Sequence, residues 1–213
     1  MTSALQVHHS ISAAGQRVAE ALVDDLAQAR ELAAAAKEAG AALAWAHSAA
    51  DLSTLGFCAV PGYRRLTGPA RQQPPIHGVG VLTTTEDSAE LCAAAYRGQW
   101  GHKTPDTWPL DEFAGTTVLG LRAGGRIVGT CRLGPAAGYI DAPGLVPDQR
   151  DVTGYRTLLL AALAACGTPQ VAVESWGDGP DRVSVCTELG LVTVTYTPGW
   201  ELDLSDMRGA WHR

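Results

Sequence analysis

The chain has 213 residues, 46% hydrophobic and 18% charged, enough apolar material for a full core and too much for wholesale disorder. Sixteen basic against 22 acidic residues leave a net charge of -6 with no long basic run, which argues against nucleic-acid and anionic-membrane partners. Residues 1–75 are charge-balanced, so the rest carries the whole excess, an acidic surface that suits solubility and tolerates a cationic amine. Five cysteines (Cys58, Cys92, Cys131, Cys166, Cys186) show no CxxC and no zinc spacing. Their odd number, with no signal-like pattern at residues 1–10, predicts reduced thiols, a cytoplasmic location and no metal. The most apolar run, residues 158–166, is too short to span a bilayer.

Taken in chain order, residues 16–39 predict one long helix, rich in Ala, Leu, Glu and Lys, with Val18, Leu22, Leu26 and Ala29 at helical spacing and Gly40 as its stop. A strand over 42–46, a short helix over 49–55 closed by Gly56, and a strand over 58–66 interrupted at Pro61-Gly62 follow. Residues 68–75, GPARQQPP, read as a linker. Then come a strand over 78–82, a helix over 86–96 capped by Thr85, and a polar, aromatic loop over 98–109. Strands over 117–122 and 126–133 flank Ala123-Gly124-Gly125, a hairpin signal. The remainder reads as a strand over 139–146, a helix over 154–166, a strand over 171–176 and a helix over 181–189. Two strands, 192–196 and 200–204, close the chain around Pro198-Gly199. An antiparallel start and a later βαβ crossover make this an α/β (α+β) mixed sheet.

Both parts of the chain share one order: a helix ending in Gly, a strand, a short helix ending in Leu-Gly, and a strand. Trp45-Ala46-His47 and Leu55-Gly56-Phe57 in the first part match Trp176-Gly177-Asp178 and Leu189-Gly190-Leu191 in the second. The first part lacks what the second holds before residue 139. It reads as a half unit (1–67), a linker (68–75) and a full unit (76–213).

This order, with RIVGTCRL, GLVPDQRDVTGYRTLLLAAL, VAVESW, VCTELGL and TYTPGWELDL, resembles the GCN5-related N-acetyltransferase (GNAT) superfamily. Residues 76–204 resemble one complete domain. Residues 4–66 resemble the second half of another, with LQVHH as its strand and AAGQRVAEALV as its loop and helix. The resemblance implies a mixed sheet flanked by helices. It implies transfer of an acyl group from acetyl-coenzyme A or another acyl-coenzyme A to a small-molecule amine.

The family cradles the coenzyme's pyrophosphate on backbone N–H groups at a helix start, where glycines allow close approach. Arg150 matches the first position of that loop motif. Thr153 and Tyr155 then stand where small residues belong, with Gly154 between them, so the motif is degenerate. The Tyr155 ring is expected near the phosphate path. In the first part, Arg17 and Ala19 take the corresponding positions. The resemblance places the oxyanion donor on the backbone at Leu145 or Val146, whose side chains also suit core packing. Where the family carries an acidic tyrosine, this chain has Cys186, either a thiol acid or nucleophile or a small buried hydrophobe.

Asp141 lies where a base acting through water fits, or else ends a strand. Glu174 within a buried-type strand needs a partner or a raised pKa, and is a second candidate for proton transfer. Trp100, His102 and Trp108 fall where the family places its acceptor-binding segment, and equally read as an anchored surface loop. Arg132 suits an acidic substrate group or solvent. His47, His8 and His9 lack the carboxylate spacing of a metal site, and Trp45 and Trp176 read as core. Two outcomes stay open: an acyltransferase, or a chain of this fold that has lost acyl-coenzyme A and binds a small ligand or runs a cyclisation or elimination in the same cleft. A half unit exposing sheet edge and apolar helix faces also points to a homodimer.

Overall fold

The computed structural model describes residues 4–12, 15–82, 115–146 and 151–205. The predicted helix over 86–96 and the loop carrying Trp100, His102 and Trp108 lie outside the described residues, as does Arg150. β1 (His8–Ile11) and β2 (Arg17–Leu22) form an antiparallel hairpin. The helix α1 (Leu26–Glu38) then crosses to β3 (Leu43–His47), parallel to β2.

The single helix predicted over 16–39 is therefore a strand followed by a helix. Val18, Ala19, Glu20 and Ala21 are all buried, so β2 is covered on both faces and shows no alternation to betray it. The helix begins at Asp25. Its carboxylate accepts the Gln28 N–H at 2.9 Å, and Gln28 Oε1 accepts the Asp24 N–H at 2.8 Å, a reciprocal start of capping-box type. Arg17 and Ala19 are strand residues and form no loop ahead of a helix.

The short helix expected over 49–55 is one 3-10 turn, Ser53–Leu55. β4 (Cys58–Pro69) runs unbroken past Pro61-Gly62 and takes in the first two residues of the expected linker. Gly62 is required there. A Cβ would strike the Thr197 carbonyl oxygen and lie 2.5 Å from Gly199 N. The following segment is docked: Arg71 donates to the Leu189 carbonyl at 2.8 Å and Gln73 to the Leu160 carbonyl at 2.9 Å.

β5 (Val79–Val81), β6 (Thr117–Ala123) and β7 (Arg126–Gly134) form the far edge, with Gly124 and Gly125 both at positive φ in the hairpin turn. The strand expected over 139–146 splits into β8 (Tyr139–Asp141) and β9 (Gly144–Leu145). Pro143, which has no N–H to give a ladder, sits at the split. Then follow α2 (Val152–Ala165), β10 (Gln170–Trp176), α3 (Pro180–Glu188) and β11 (Val192–Asp203). β11 is one strand where two were predicted, because Pro198-Gly199 is absorbed as a register irregularity.

The eleven strands of the described residues join one sheet in the order β1-β2-β3-β11-β4-β10-β8-β7-β6-β5, with β9 paired to β7. The last strand inserts between β3 and β4, so residues from both parts of the chain share the centre. Outward from the β4–β11 pair the pairing is the same on each side: antiparallel, parallel, antiparallel. The C-terminal ends of β3 and β10 therefore approach each other. On one face, α2 packs Tyr155, Leu158, Leu159 and Leu163 onto Leu133, Ile140, Leu145 and Val173. Burying each of these leucines contributes about 1.5–3 kcal/mol relative to exposure. α1 covers Ala19, Ala21, Ala44 and Ala46 in the same way.

Candidate active site

The face opposite α2 carries the polar side chains. Ile140 and Val173 point into the α2 core, so strand alternation sends Asp141 and Glu174 to the other side. The two acids are direct register partners on β8 and β10, and Glu174 is in turn opposite Arg65 on β4. Arg132 on β7 ion-pairs with Asp141, and the Tyr139 hydroxyl donates to the other Asp141 oxygen. Arg132, Asp141, Glu174 and Arg65 thus form one row across four strands.

The row is graded in exposure. The Asp141 side chain is 7% exposed and both its oxygens are engaged. Glu174 is 15% exposed and meets Arg65 only at 3.8 Å, with the Arg65 side chain half exposed. Glu174 is the better placed of the two to exchange a proton. Burial, and then the neighbouring Asp141, push the Tyr139 hydroxyl well above the ordinary tyrosine range. Burial, and then its hydrogen bond to Glu174, do the same to Tyr63. Both phenols keep their protons and act as donors.

The row ends in aromatic rings. Tyr63 lies 4.4 Å from Trp176 between centroids, and Trp176 meets His47 edge-on at 5.1 Å. His47 Nε2 is 3.0 Å from Glu20 Oε1, both side chains being 1% exposed. Sequence reasoning missed Tyr63, Arg65 and Glu20. Only the pairing of β4 with β10, and of β2 with β3, reveals them. Tyr139 was within reach, since it lies two residues before Asp141 on one strand and so shares its face.

The sheet opens beside this row. β8 pairs with β10 through Asp141 and Glu174, and the Ala142 N–H still reaches the Glu174 carbonyl at 2.8 Å. Beyond that, β9 pairs with β7 and not with β10, leaving a gap between two parallel strands at their C-terminal ends. Ligands favour this place in α/β sheets. Leu145 is a fully buried residue of the core under α2. The Val146 N–H donates to the Val128 carbonyl at 3.0 Å, so it is held in the ladder and not aimed into the gap.

The helix after the gap begins at Val152, two residues before the predicted start. Asp151 caps it by accepting the Gly154 N–H. Thr153 is exposed, and its carbonyl accepts the Thr157 hydroxyl. Tyr155 does not face a phosphate path. Its ring is fully buried beneath the sheet, and its hydroxyl donates to Asp178 Oδ2 at 2.9 Å. Ser175 and Arg182 bond the same carboxylate, closing a structural network. Cys186 joins it from α3, 3.7 Å from the Tyr155 hydroxyl. Burial raises this thiol to about 11, and it lies on the opposite face from Asp141 and Glu174. Neither a nucleophilic nor an acidic role at the gap fits that position.

Among the described residues, no group of three or more His, Cys, Asp or Glu side chains is placed to hold a metal. No described helix is long and apolar enough to cross a membrane. No protein-family description matches the sequence, and no curated protein matches it. Solved structures do. A GCN5-related N-acetyltransferase from Anabaena variabilis is similar with a TM-score of 0.58 at 8% identity, covering 95% of this chain and 59% of that one. A GCN5-related N-acetyltransferase-like protein from Streptococcus suis gives 0.54 at 11% identity, over 92% and 82%. Eis1 from Mycobacterium abscessus gives 0.54 at 15% identity, over 95% and 60%.

The chain has the GNAT fold. In that frame the gap between β9 and β10 lies between the strand ahead of α2 and the strand after it. The chain spans about three fifths of the Anabaena and Mycobacterium proteins.

Proposed function

We propose that the chain is an acyl-coenzyme A-dependent N-acyltransferase acting on a small-molecule amine, with its site in the C-terminal part. The observation that carries this reading is the parting of β8/β9 from β10 directly beside Asp141 and Glu174. The bound thioester would supply the activated acyl group. The gap suits the thioester arm, and the start of α2 suits a pyrophosphate wherever Asp151 releases the Gly154 N–H. Glu174 takes the proton of the acceptor's ammonium, directly or through water. Asp141, fixed by Arg132 and Tyr139, orients the row. Tyr139 and Tyr63, which donate to Asp141 and Glu174, hold those two carboxylates in place. The N-terminal part is scaffold for this site, supplying Tyr63, Arg65 and His47 from beneath.

One observation favours the alternative of a GNAT-fold chain that has abandoned acyl-coenzyme A: a carboxylate occupies the helix start where a pyrophosphate would sit. Calorimetric titration of acetyl-coenzyme A and of free coenzyme A into the protein separates the two. Micromolar binding is expected. No binding at millimolar ligand would retire the acyltransferase and leave the gap to another small molecule.

A further inference from the structure

β4 and β11 lie side by side at the centre of the sheet and leave it alike. The Ala70 N–H donates to the Pro169 carbonyl at 3.2 Å and the Leu204 N–H to the Ala42 carbonyl at 2.8 Å. Each acceptor is the residue just ahead of the neighbouring strand, β10 or β3. After Ala70 the chain docks on α2 and on the turn that closes α3. The Arg71 N–H reaches the Leu163 carbonyl at 3.2 Å, its guanidinium the Leu189 carbonyl at 2.8 Å, and the Gln73 amide the Leu160 carbonyl at 2.9 Å. Counted from the capping residues Asp151 and Asp25, Leu160 and Leu163 of α2 correspond to Ala34 and Lys37 of α1. Counted from the left-handed glycines Gly190 and Gly56, Leu189 corresponds to Leu55. Ala34, Lys37 and Leu55, with Ala33, Phe57 and Leu204, line an apolar groove of about 230 Å³. Among the described residues, the bed that residues 71–73 cover in the C-terminal part is therefore open in the N-terminal part. The paths separate at Ser205, whose N–H donates to Asp203 Oδ1 at 2.8 Å, and residues 206–213 lie outside the described residues.

The groove's charges are Arg30 and Lys37, both on α1, and its other lining residues are apolar. The segment that follows Leu204 reads, from residue 206, DMRGAWHR. It offers a carboxylate for the cations, Asp206, and large apolar side chains for the bed, Met207 and Trp211. Counted from Leu204 and Ala70, Met207 corresponds to Gln73, and an unbranched thioether suits an irregular apolar gap. From Arg30 to Lys37 the groove runs about 10 Å along α1, a distance that about four extended residues span. A segment joined directly to Leu204, itself part of the groove, holds a local concentration that a free partner does not match. We infer that this groove is the seat of residues 206–213, with Met207 in the apolar bed and Asp206 toward Arg30 and Lys37. The inference stands apart from the acyl-coenzyme A reading.

Thermal melts of the full chain in a mutant cycle test it. Met207→Ala/Trp211→Ala should lower Tm by about 3–6 °C. Ala33→Gln keeps a good helix former in α1 and fills the groove with a polar side chain, so it should lower Tm by a similar amount. The triple variant should melt with Ala33→Gln alone, because either change already empties the groove. Ala34→Gln, at an exposed position, takes the place of Ala33→Gln in the cycle should that variant fail to fold. Additive losses overturn the inference, and so does a Met207→Ala/Trp211→Ala chain or a groove variant that melts with the wild type. The wild-type Tm should not change over about a hundredfold range of protein concentration. A Tm that rises with concentration in the wild type, and not in Met207→Ala/Trp211→Ala, overturns the inference in favour of a segment from a second copy.

Discussion

By place in the sheet His47 matches Glu174, and not Asp178 as the repeat of Trp45-Ala46-His47 with Trp176-Gly177-Asp178 had it. His47 lies opposite Gly199 and Glu174 opposite Arg65, each partner nine residues past the glycine that closes the preceding turn, Gly190 and Gly56. The strands outside them differ. β2 pairs with β3 over five residues, Val18 to Leu22, without interruption. β8 pairs with β10 over three and then parts from it at Ala142-Pro143. In the N-terminal part the acid is Glu20, sealed at 1% exposure against His47, and the place corresponding to Asp141 holds Leu22, 64% exposed. In the C-terminal part the acids border an opening. The same topology thus yields a closed polar pair where the outer strand is continuous and a candidate site where a proline splits it.

The sharpest way to break that comparison is to unseal the closed pair. Glu20→Ala leaves a buried imidazole without its carboxylate and should cost about 3–5 kcal/mol of stability in urea unfolding. Under conditions where the variant is still folded, its affinity for acetyl-coenzyme A should equal the wild type's. A stable Glu20→Ala protein that had lost its ligand would put the site in the wrong half. The mirror experiment is Glu174→Gln. Amide for carboxylate at a position whose Arg65 partner stands at 3.8 Å, and where the amide oxygen can still accept from Tyr63, should change stability by less than about 1 kcal/mol. Turnover with an amine acceptor should fall about a hundredfold or more. Unchanged turnover would remove Glu174 as the base.

The C-terminal part was the more legible half, for physical reasons. Its helices are separated from its strands by Gly167 and Gly190, and its hairpin by Gly124-Gly125, so local signals and structure agree. The N-terminal strand β2 was lost because complete burial erases alternation, and Ala-rich residues then read as helix. Its boundary was nevertheless written in Asp25 and Gln28, a start signal within the predicted helix. Glu174 was legible as an unusual carboxylate on a buried-type strand, Asp141 as a base or strand-end acid and Arg132 as a substrate contact or solvated side chain, and the structure brings the three into one row. Tyr63 and Arg65 were not, because their role depends on β4 lying against β10, a pairing between residues far apart in sequence. Cys186 and Tyr155 were placed correctly along the chain and on the wrong side of the sheet. A motif position fixes distance along a helix, whereas the facing side is decided by the packing of Leu158, Leu159 and Leu163.

The smallest expected effect concerns the helix start itself. In the N-terminal part, Asp25 caps α1 beside strands that stay paired from Val18 to Leu22, so its carboxylate serves stability. Asp151 does the same for α2, but beside the gap. There its charge competes with any anion for the Gly154 N–H and for the positive end of the helix. Asp151→Ser retains a capping oxygen and removes the charge, so stability should shift by only a few tenths of a kcal/mol. Coenzyme A affinity should rise about three- to tenfold at low salt, and the gain should shrink as ionic strength increases. Asp25→Ser in the same assay should leave coenzyme A binding unchanged. If Asp151→Ser instead weakened binding, the carboxylate would be part of the ligand's own contact set, and the ligand's end at this helix would have to be a donor or a cation, not a pyrophosphate.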